Sequence, residues 1–374
     1  MKKTTSVVLG LLLISSAFAQ NVSTSVLQPS LQSTLGKYFL VGAAVDTHLP
    51  TGENSGADAI VKEQFNQVVA ENCMKGEINH PEVNRFDFTD GDRLADWAQK
   101  NGKTLIGHCL VWHSQAPKWM FTDERGNLVS REVLIGRMYN HIMNVVTHYK
   151  GKVKGWDVVN EAIEDDGSFR QSLYYKIIGP EFIELAFRFA HEADPNVELY
   201  YNDYSTSVPT KREAICRLVR SLKSKGLRID AVGMQSHHGF DYPDFVEYEK
   251  SIEAFAAEGV KVMLTELDMN MLPNPQGFNG AEISQRYDFQ KQYNPYVNGL
   301  DKKAQKLFNQ RYMDLFKIVK RHKEVISRVT FWGVCDAQSW LNGWPIPGRT
   351  NYPLLFDRNY QMKPVAKDIM KMFE

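Results

Sequence analysis

An excess of charge of either sign is missing from this sequence: 44 lysines and arginines stand against 44 aspartates and glutamates, for a formal net charge of zero. That balance removes any global pull toward nucleic acid or an anionic membrane and favours a neutral partner. Cysteine is scarce. Cys73, Cys109, Cys216 and Cys335 form no C-x-x-C spacing, and a chain this long does not need disulfides as a framework. Three of the four read as lying in strand segments, so buried free thiols are expected. No G-x-G-x-x-G follows the first candidate strand and no P-loop occurs, so neither nucleotide cradle is present. Internal repeats and Pro- or Ser-rich linkers are also lacking. A long apolar run is found only at the N-terminus, "MKKTTSVVLGLLLISSAFA", Met1 to Ala19. Its two lysines, brief apolar stretch and Ala17-Phe18-Ala19 ending read as a removable export signal. Gln20 follows where a lipoprotein needs cysteine, which predicts a soluble protein outside the cytoplasm, periplasmic or extracellular, without membrane insertion.

Over residues 20–374, eight apolar, β-branched segments alternate with amphipathic ones. The candidate strands are "YFLVGAAV", "FNQVVA", "TLIGHCLVW", "GWDVVN", "VELYYND", "IDAVGMQS", "VKVMLTELD" and "RVTFWGV". Between them stand helical patterns such as "DRLADWAQKNG", "EFIELAFRFAHEA", "KREAICRLVRSLKSKG" and "YEKSIEAFAAEGV", several closed by glycine. Strands apolar on both faces are what a parallel sheet covered by helices requires. Eight such units in one chain predict a single (β/α)8 barrel domain, with its site at the C-terminal ends of the strands. An open doubly wound sheet is the alternative, weakened by the missing glycine fingerprint. Trp97 falls on the apolar side of its helix and reads as core. The stretch from Asn270 to Asp301, rich in Asn, Gly, Pro and Tyr, is a long excursion after the seventh strand, expected either on the rim of the barrel mouth or, equally, as a plain surface excursion.

Polar and aromatic residues collect at the strand ends. They are Glu71, Asn72 and Lys75 after the second strand, then His108, Trp112, His113 and Gln115 after the third, and Asn160 with Glu161 after the fourth. Asn202, Asp203 and Tyr204 end the fifth, Gln235, His237 and His238 the sixth, Glu266 and Asp268 the seventh, and Trp332, Asp336 and Trp340 the eighth. Scattered surface polarity would not follow strand order, so a carboxylate-rich pocket walled by tryptophan is the expected site. Glu161 and Glu266, ending strands four and seven, face each other across a closed barrel. Either alone reads as a solvated loop acid; the pair suits glycoside hydrolysis, one acid protonated to serve the leaving oxygen and the other ionised to attack the anomeric carbon. Retention of configuration needs the two roughly 5 to 5.5 Å apart. Asn160 beside the acid can donate to a sugar hydroxyl next to the reacting carbon, a bond that strengthens as positive charge develops on the ring.

The ordered strand-end motifs "ENCMK", "GHCLVWHSQAPKW", "WDVVNEA", "YNDY", "GMQSHH", "TELD" and "FWGVCDAQSW", with the tail "PLLFDRNYQMKPV", resemble glycoside hydrolase family 10, the endo-1,4-β-xylanases. The resemblance covers essentially the whole chain after the export signal. It implies Glu161 as general acid/base and Glu266 as nucleophile of a retaining double displacement. His237 would bond the nucleophile and Asp268 orient that imidazole. Glu71, Asn72, Lys75, His108 and Gln115 would bind xylose units on the non-reducing side, with Gln235 and Asn160 at the cleaved sugar. Trp112, Trp332 and Trp340 would form walls, and Tyr204 would meet the leaving-group side. His238 reads as packing. Gly76 and Cys73 depart from the family's second-strand motif without touching this chemistry, whereas the Asn270 to Asp301 excursion bears on how many sugars bind beyond the cleavage point.

The implied partner is xylan or a xylo-oligosaccharide, acted on by a monomer that uses no cofactor and no metal. A metal-dependent hydrolase would draw on the strand-end histidines, but no H-x-H ends the first strand, "VGAAVDTH". A non-catalytic glycan-binding protein would not need both glutamates. A β-1,4-glucan is the nearer rival as substrate, its extra hydroxymethyl group meeting Gln115 and Trp332.

Overall fold

The computed structural model describes residues 29–278 and 280–374, so the export signal read at residues 1–19 lies outside the described residues. Strands β1 (Leu40–Val45), β2 (Gln67–Ala70), β3 (Thr104–Trp112), β4 (Val153–Asn160) and β5 (Glu198–Asp203) are followed by β6 (Ala231–Met234), β7 (His237–Gly239), β8 (Lys261–Asn270) and β9 (Ile326–Phe331). They are parallel and bonded in the order β6-β5-β4-β3-β2-β1-β9-β8-β7, and a further β6–β8 pairing closes the ring. β6 and β7 form one stave, interrupted at Gln235 and Ser236. Below the break Ala231 pairs with Lys261 of β8, and above it His237 pairs with Asp268 of the same strand. The result is a closed barrel of eight staves.

A long helix follows each stave: Ser55–Gln64, Thr89–Lys100, Arg131–His148, Glu181–Ala193, Pro209–Ser224, Phe245–Ala257, Lys302–Arg321 and Pro364–Phe373. Ser130, Asp244 and Asp301 start three of them by accepting bonds from first-turn amides. Glycines at 102, 226 and 259, all at positive φ, follow three helix ends where the sequence predicts a stop. The main core lies between the strands and these helices, and Trp97 belongs to it. A smaller apolar cluster, which includes Ala44, Val69, Ile106, Met263 and Trp332, gathers on the other face of the strands, inside the ring. Gly107 is obligatory between the two: a Cβ there would sit 2.2 Å from the fully buried indole of Trp156. Among the described residues, no helix is long and apolar enough to cross a membrane.

Two sequence readings need correction. All four cysteines are buried and free, as expected, but only Cys109 lies in a strand. Cys73 and Cys335 fall in turns because β2 and β9 stop at Ala70 and Phe331, and Cys216 sits on the buried side of a helix. Likewise Glu266 does not end its strand. β8 continues to Asn270 because its upper half pairs with β7, and the acid lies at an irregularity in the β8–β9 register between Leu264 and Leu267.

Candidate active site

Glu161 follows the last residue of β4 with φ 58°, the left-handed region that ordinary side chains rarely adopt. Several bonds hold that turn. The Glu161 amide donates to the Asn202 carbonyl at 2.9 Å, the Ala162 amide to the Tyr201 hydroxyl at 3.1 Å, and Arg170 Nε to the Glu161 carbonyl at 2.8 Å. The carboxyl is thereby aimed inward and buried. It accepts from Trp112 Nε1 at 2.8 Å on Oε2 and from Gln235 Nε2 at 2.8 Å on Oε1. Burial is the largest influence and pushes its pKa up; His113, Gln235 and Trp112 oppose it without reversing the shift.

Glu266 is equally enclosed, yet its pKa moves the other way. Burial pushes it up, but His237 Nε2 donating at 3.1 Å, the charges of His108 and His237, and Asn202 Nδ2 donating at 2.8 Å together bring it below the ordinary value. His237 in turn donates from Nδ1 to Asp268 Oδ2 at 3.0 Å. Trp340 Nε1 holds that same oxygen at 2.8 Å. Burial disfavours the imidazolium, but Asp268 and Glu266 on its two sides outweigh this and raise the His237 pKa to about 10. The imidazole is therefore cationic through the neutral range.

Asn202 links the two acids. Thr265 Oγ1 donates to its oxygen at 2.6 Å, and its amino group donates to Glu266 Oε1 at 2.8 Å and to Asn160 Oδ1 at 2.9 Å. Turned over, the Asn160 amide would donate to the Asn202 carbonyl at 3.2 Å and accept from Trp112 Nε1 at 3.2 Å, but two amino groups would then meet at 2.9 Å, so its oxygen is kept toward Asn202 Nδ2. Asn160 Nδ2 then faces Glu161 Oε1 at 3.3 Å. The strand pattern puts Asn202 at the end of β5 and signals no role for it.

Both glutamates open into one cavity of about 430 Å³ at the C-terminal mouth of the barrel. Glu71, Asn72, Lys75, His108, Trp112, Gln115, Asn160, Gln235, His237, Trp332 and Trp340 line it with them. Lys75 Nζ donates to Asn72 Oδ1 at 3.0 Å and Gln115 Oε1 at 2.8 Å, and lies 4.9 Å from the centre of the Trp112 ring. His108 is held from behind by Asp157 at 2.9 Å, and Asp157 is 3.7 Å from the buried Arg328 guanidinium. Asp268 acts from beneath His237 and does not line the cavity. Tyr204 lines a second cavity, of about 440 Å³, beyond His237 and Ala281, which border both. His238 is buried with its ring edge-on to Tyr248, and Asp336 pairs with Lys363 at 2.7 Å. Neither lines the catalytic cavity.

The structure adds residues that sequence reasoning missed. Trp344 stacks on Trp340 with ring centres 4.3 Å apart and planes at 13°, four residues on, which is a spacing that could have flagged it. Ala281, Ile283 and Arg286 bring the Asn270–Asp301 excursion into the cavity wall. The excursion is thus part of the site and more than a rim decoration. Short irregular loops carry no periodic signal from which this could be read.

Residues 30–372 match the model of glycosyl hydrolase family 10. The chain belongs to that family. Among its family 10 relatives, endo-1,4-beta-xylanase A of Xylanibacter ruminicola is 60% identical over 375 residues, covering 100% of each chain. The endo-1,4-beta-xylanase of Geobacillus stearothermophilus is 40% identical over 338 residues, 90% of this chain and 96% of its own. Among solved structures, a GH10 endoxylanase retrieved from a sugarcane soil metagenome superposes with a TM-score of 0.89 at 41% identity, covering 92% of this chain and 100% of that one. Xylanase XynB of Paenibacillus barcinonensis, complexed with a conduramine derivative, gives 0.84 at 36% identity over 92% and 99%. Both relatives and both structures are thus matched over nearly their whole length, and the barrel is the family 10 fold throughout.

Proposed function

We propose that this protein hydrolyses internal β-1,4-xylosidic bonds of xylan with retention of configuration, Glu266 serving as nucleophile and Glu161 as acid/base. The observation that carries the reading is the opposite displacement of two buried carboxyls in one cavity, Glu161 upward and Glu266 downward. In the first step Glu266 attacks the anomeric carbon, the glycosidic C–O bond breaks, and the Glu161 proton passes to the departing oxygen. The glycosyl-enzyme ester is then opened by water, which gives its proton to Glu161 as it attacks. His237, held by Asp268, keeps the nucleophile bare. Glu71, Asn72, Lys75, His108 and Gln115 take the sugar hydroxyls on the non-reducing side, between the Trp112, Trp332 and Trp340 walls. Asn160 and Gln235 sit at the cleaved sugar and Tyr204 on the leaving-group side. The curated relatives named as xylanases support this substrate. Export by the segment at residues 1–19, action as a monomer, and a single catalytic domain over residues 20–374 belong to the same proposal.

Gln115 and Trp332 line the cavity, and in this reading they form the wall that a glucose hydroxymethyl group would meet. Hydrolysis of xylan should therefore exceed that of a soluble cellulose derivative by about tenfold or more, since misfit of one small group costs about 1–3 kcal/mol. Equal rates in a reducing-sugar assay would show that this wall does not select pentose.

The pH–rate profile follows from the two shifts. Activity requires ionised Glu266, whose pKa lies below 4.5, so kcat/KM should fall on the acid side only beneath that value. It also requires protonated Glu161, whose pKa lies above 4.5, so activity should decline as pH rises through that raised value. Replacing His237 by Gln removes the cation beside Glu266 and should carry the acid limb to higher pH. An acid limb that stays in place would disconnect His237 from the nucleophile.

A further inference from the structure

Part-way along, at Glu282, the excursion after β8 packs against the residues that support the Glu161 turn. Glu282 Oε2 accepts from Arg170 Nη1 at 2.8 Å and lies 3.6 Å from His113 Nε2. Its other carboxylate oxygen is held within the loop by the Ser284 amide at 3.1 Å. His113 stands between two carboxyls, with Nδ1 3.9 Å from Glu161 Oε2. Arg170 makes the second connection. Besides Glu282, its guanidinium bonds the Glu161 carbonyl and gives Nη2 to the Tyr204 hydroxyl at 2.6 Å, so one side chain touches the acid/base backbone and the leaving-group side together. Gly280, at φ 55°, lets the excursion pass against Tyr204: a Cβ there would sit 2.7 Å from the Tyr204 ring. Two of these contacts reach Glu161, Arg170 at the backbone of its strained turn and His113 toward its carboxyl.

We propose that Glu282 is a positioning residue for acid catalysis: from the β8 excursion it fixes Arg170 by a hydrogen bond and sets its charge beside His113, and through Arg170 it holds Glu161 against the leaving oxygen. The contrast with an ordinary surface ion pair lies in the alternative partner. Glu164 is 3.4 Å from the same Arg170 Nη1 and more exposed, so without Glu282 the guanidinium is drawn outward, away from Tyr204 and the Glu161 carbonyl. The carboxylate is ionised in this role, since the nearby His113 and Ser284 hold its pKa well below the usual range.

This inference rests on Glu161 being the acid/base, and the test separates the two. Glu282→Gln keeps the shape and removes the charge. Its kcat/KM should fall about tenfold on xylotetraose, whose poor leaving group needs a well-placed proton, and stay within about twofold on 2,4-dinitrophenyl xylobioside, whose leaving group does not. Glu282→Asp should restore part of the xylotetraose rate. Equal losses on both substrates, or no loss on either, overturn the proposal. Glu161→Ala, measured in parallel, must show the same split more strongly. If it does and Glu282→Gln does not, only this inference falls; if Glu161→Ala shows no split, the acid/base reading falls with it.

Discussion

Replacing Glu266 by Ala should abolish xylan hydrolysis, lowering kcat by about 10⁴-fold or more, while the protein still binds the polymer. The size of the effect follows from what is removed. Without the carboxylate no covalent intermediate forms, and the positive charge developing at the anomeric carbon loses its nearest anion. Binding should survive because the groups proposed to meet the sugar are anchored elsewhere: Lys75 on Asn72 and Gln115, His108 on Asp157, and Trp340 on Asp268 and Trp344. His237 also keeps its Asp268 partner, so the site does not collapse around an unpaired cation. Pull-down on insoluble xylan checks retention of binding, and a reducing-sugar assay checks the rate. Residual turnover near that of the unaltered enzyme would mean that another group attacks the anomeric carbon.

Glu161→Ala should behave differently. With xylan, kcat/KM should fall by about 10² to 10⁴-fold, the range expected when a placed general acid is lost. With a dinitrophenyl xylobioside the first step needs no proton, and kcat/KM should change by less than about tenfold. Breakdown of the ester then becomes slow, because water has lost its base. Added azide, which needs no base, should speed turnover and give a xylobiosyl azide of the substrate's own anomeric configuration. Uniform losses across both substrates, without azide rescue, would count against a proton-transfer role for Glu161.

The alternation of apolar and amphipathic segments made the barrel legible, because a buried parallel strand and a surface helix leave different periods in a chain. The strand-end rule then located the cavity, although His113, Asn202, Asp203, His238 and Asp336, which it also gathered, stay outside the lining; of the residues to which the family resemblance gave a role, all but Asp268 and Tyr204 line one space around the two acids. Asp268 acts through His237, and Tyr204 faces the neighbouring cavity, a difference of depth and direction that a linear sequence does not record. The extent of a strand is equally hard to read. β8 runs past Glu266 because β7, whose residues pair with it from 31 positions earlier in the chain, continues beside it, and that pairing leaves no local mark. What stayed hidden sits on loops. Arg170, Glu282 and Arg286 are lone charges in irregular segments, indistinguishable in sequence from solvated surface groups until the fold brings them to the Glu161 turn and the cavity wall.

In the proposed reaction Glu266, ionised by His237, forms a covalent bond to xylose while Glu161 delivers the proton. Incubation with an activated 2-deoxy-2-fluoro xylobioside, followed by peptic digestion and mass spectrometry, tests it most directly, since the fluorine slows ester breakdown. The expected result is one fluoroxylobiosyl group per chain, attached at Glu266. Labelling at Glu161 or any other residue, or an unlabelled enzyme that releases product of inverted configuration, would contradict it.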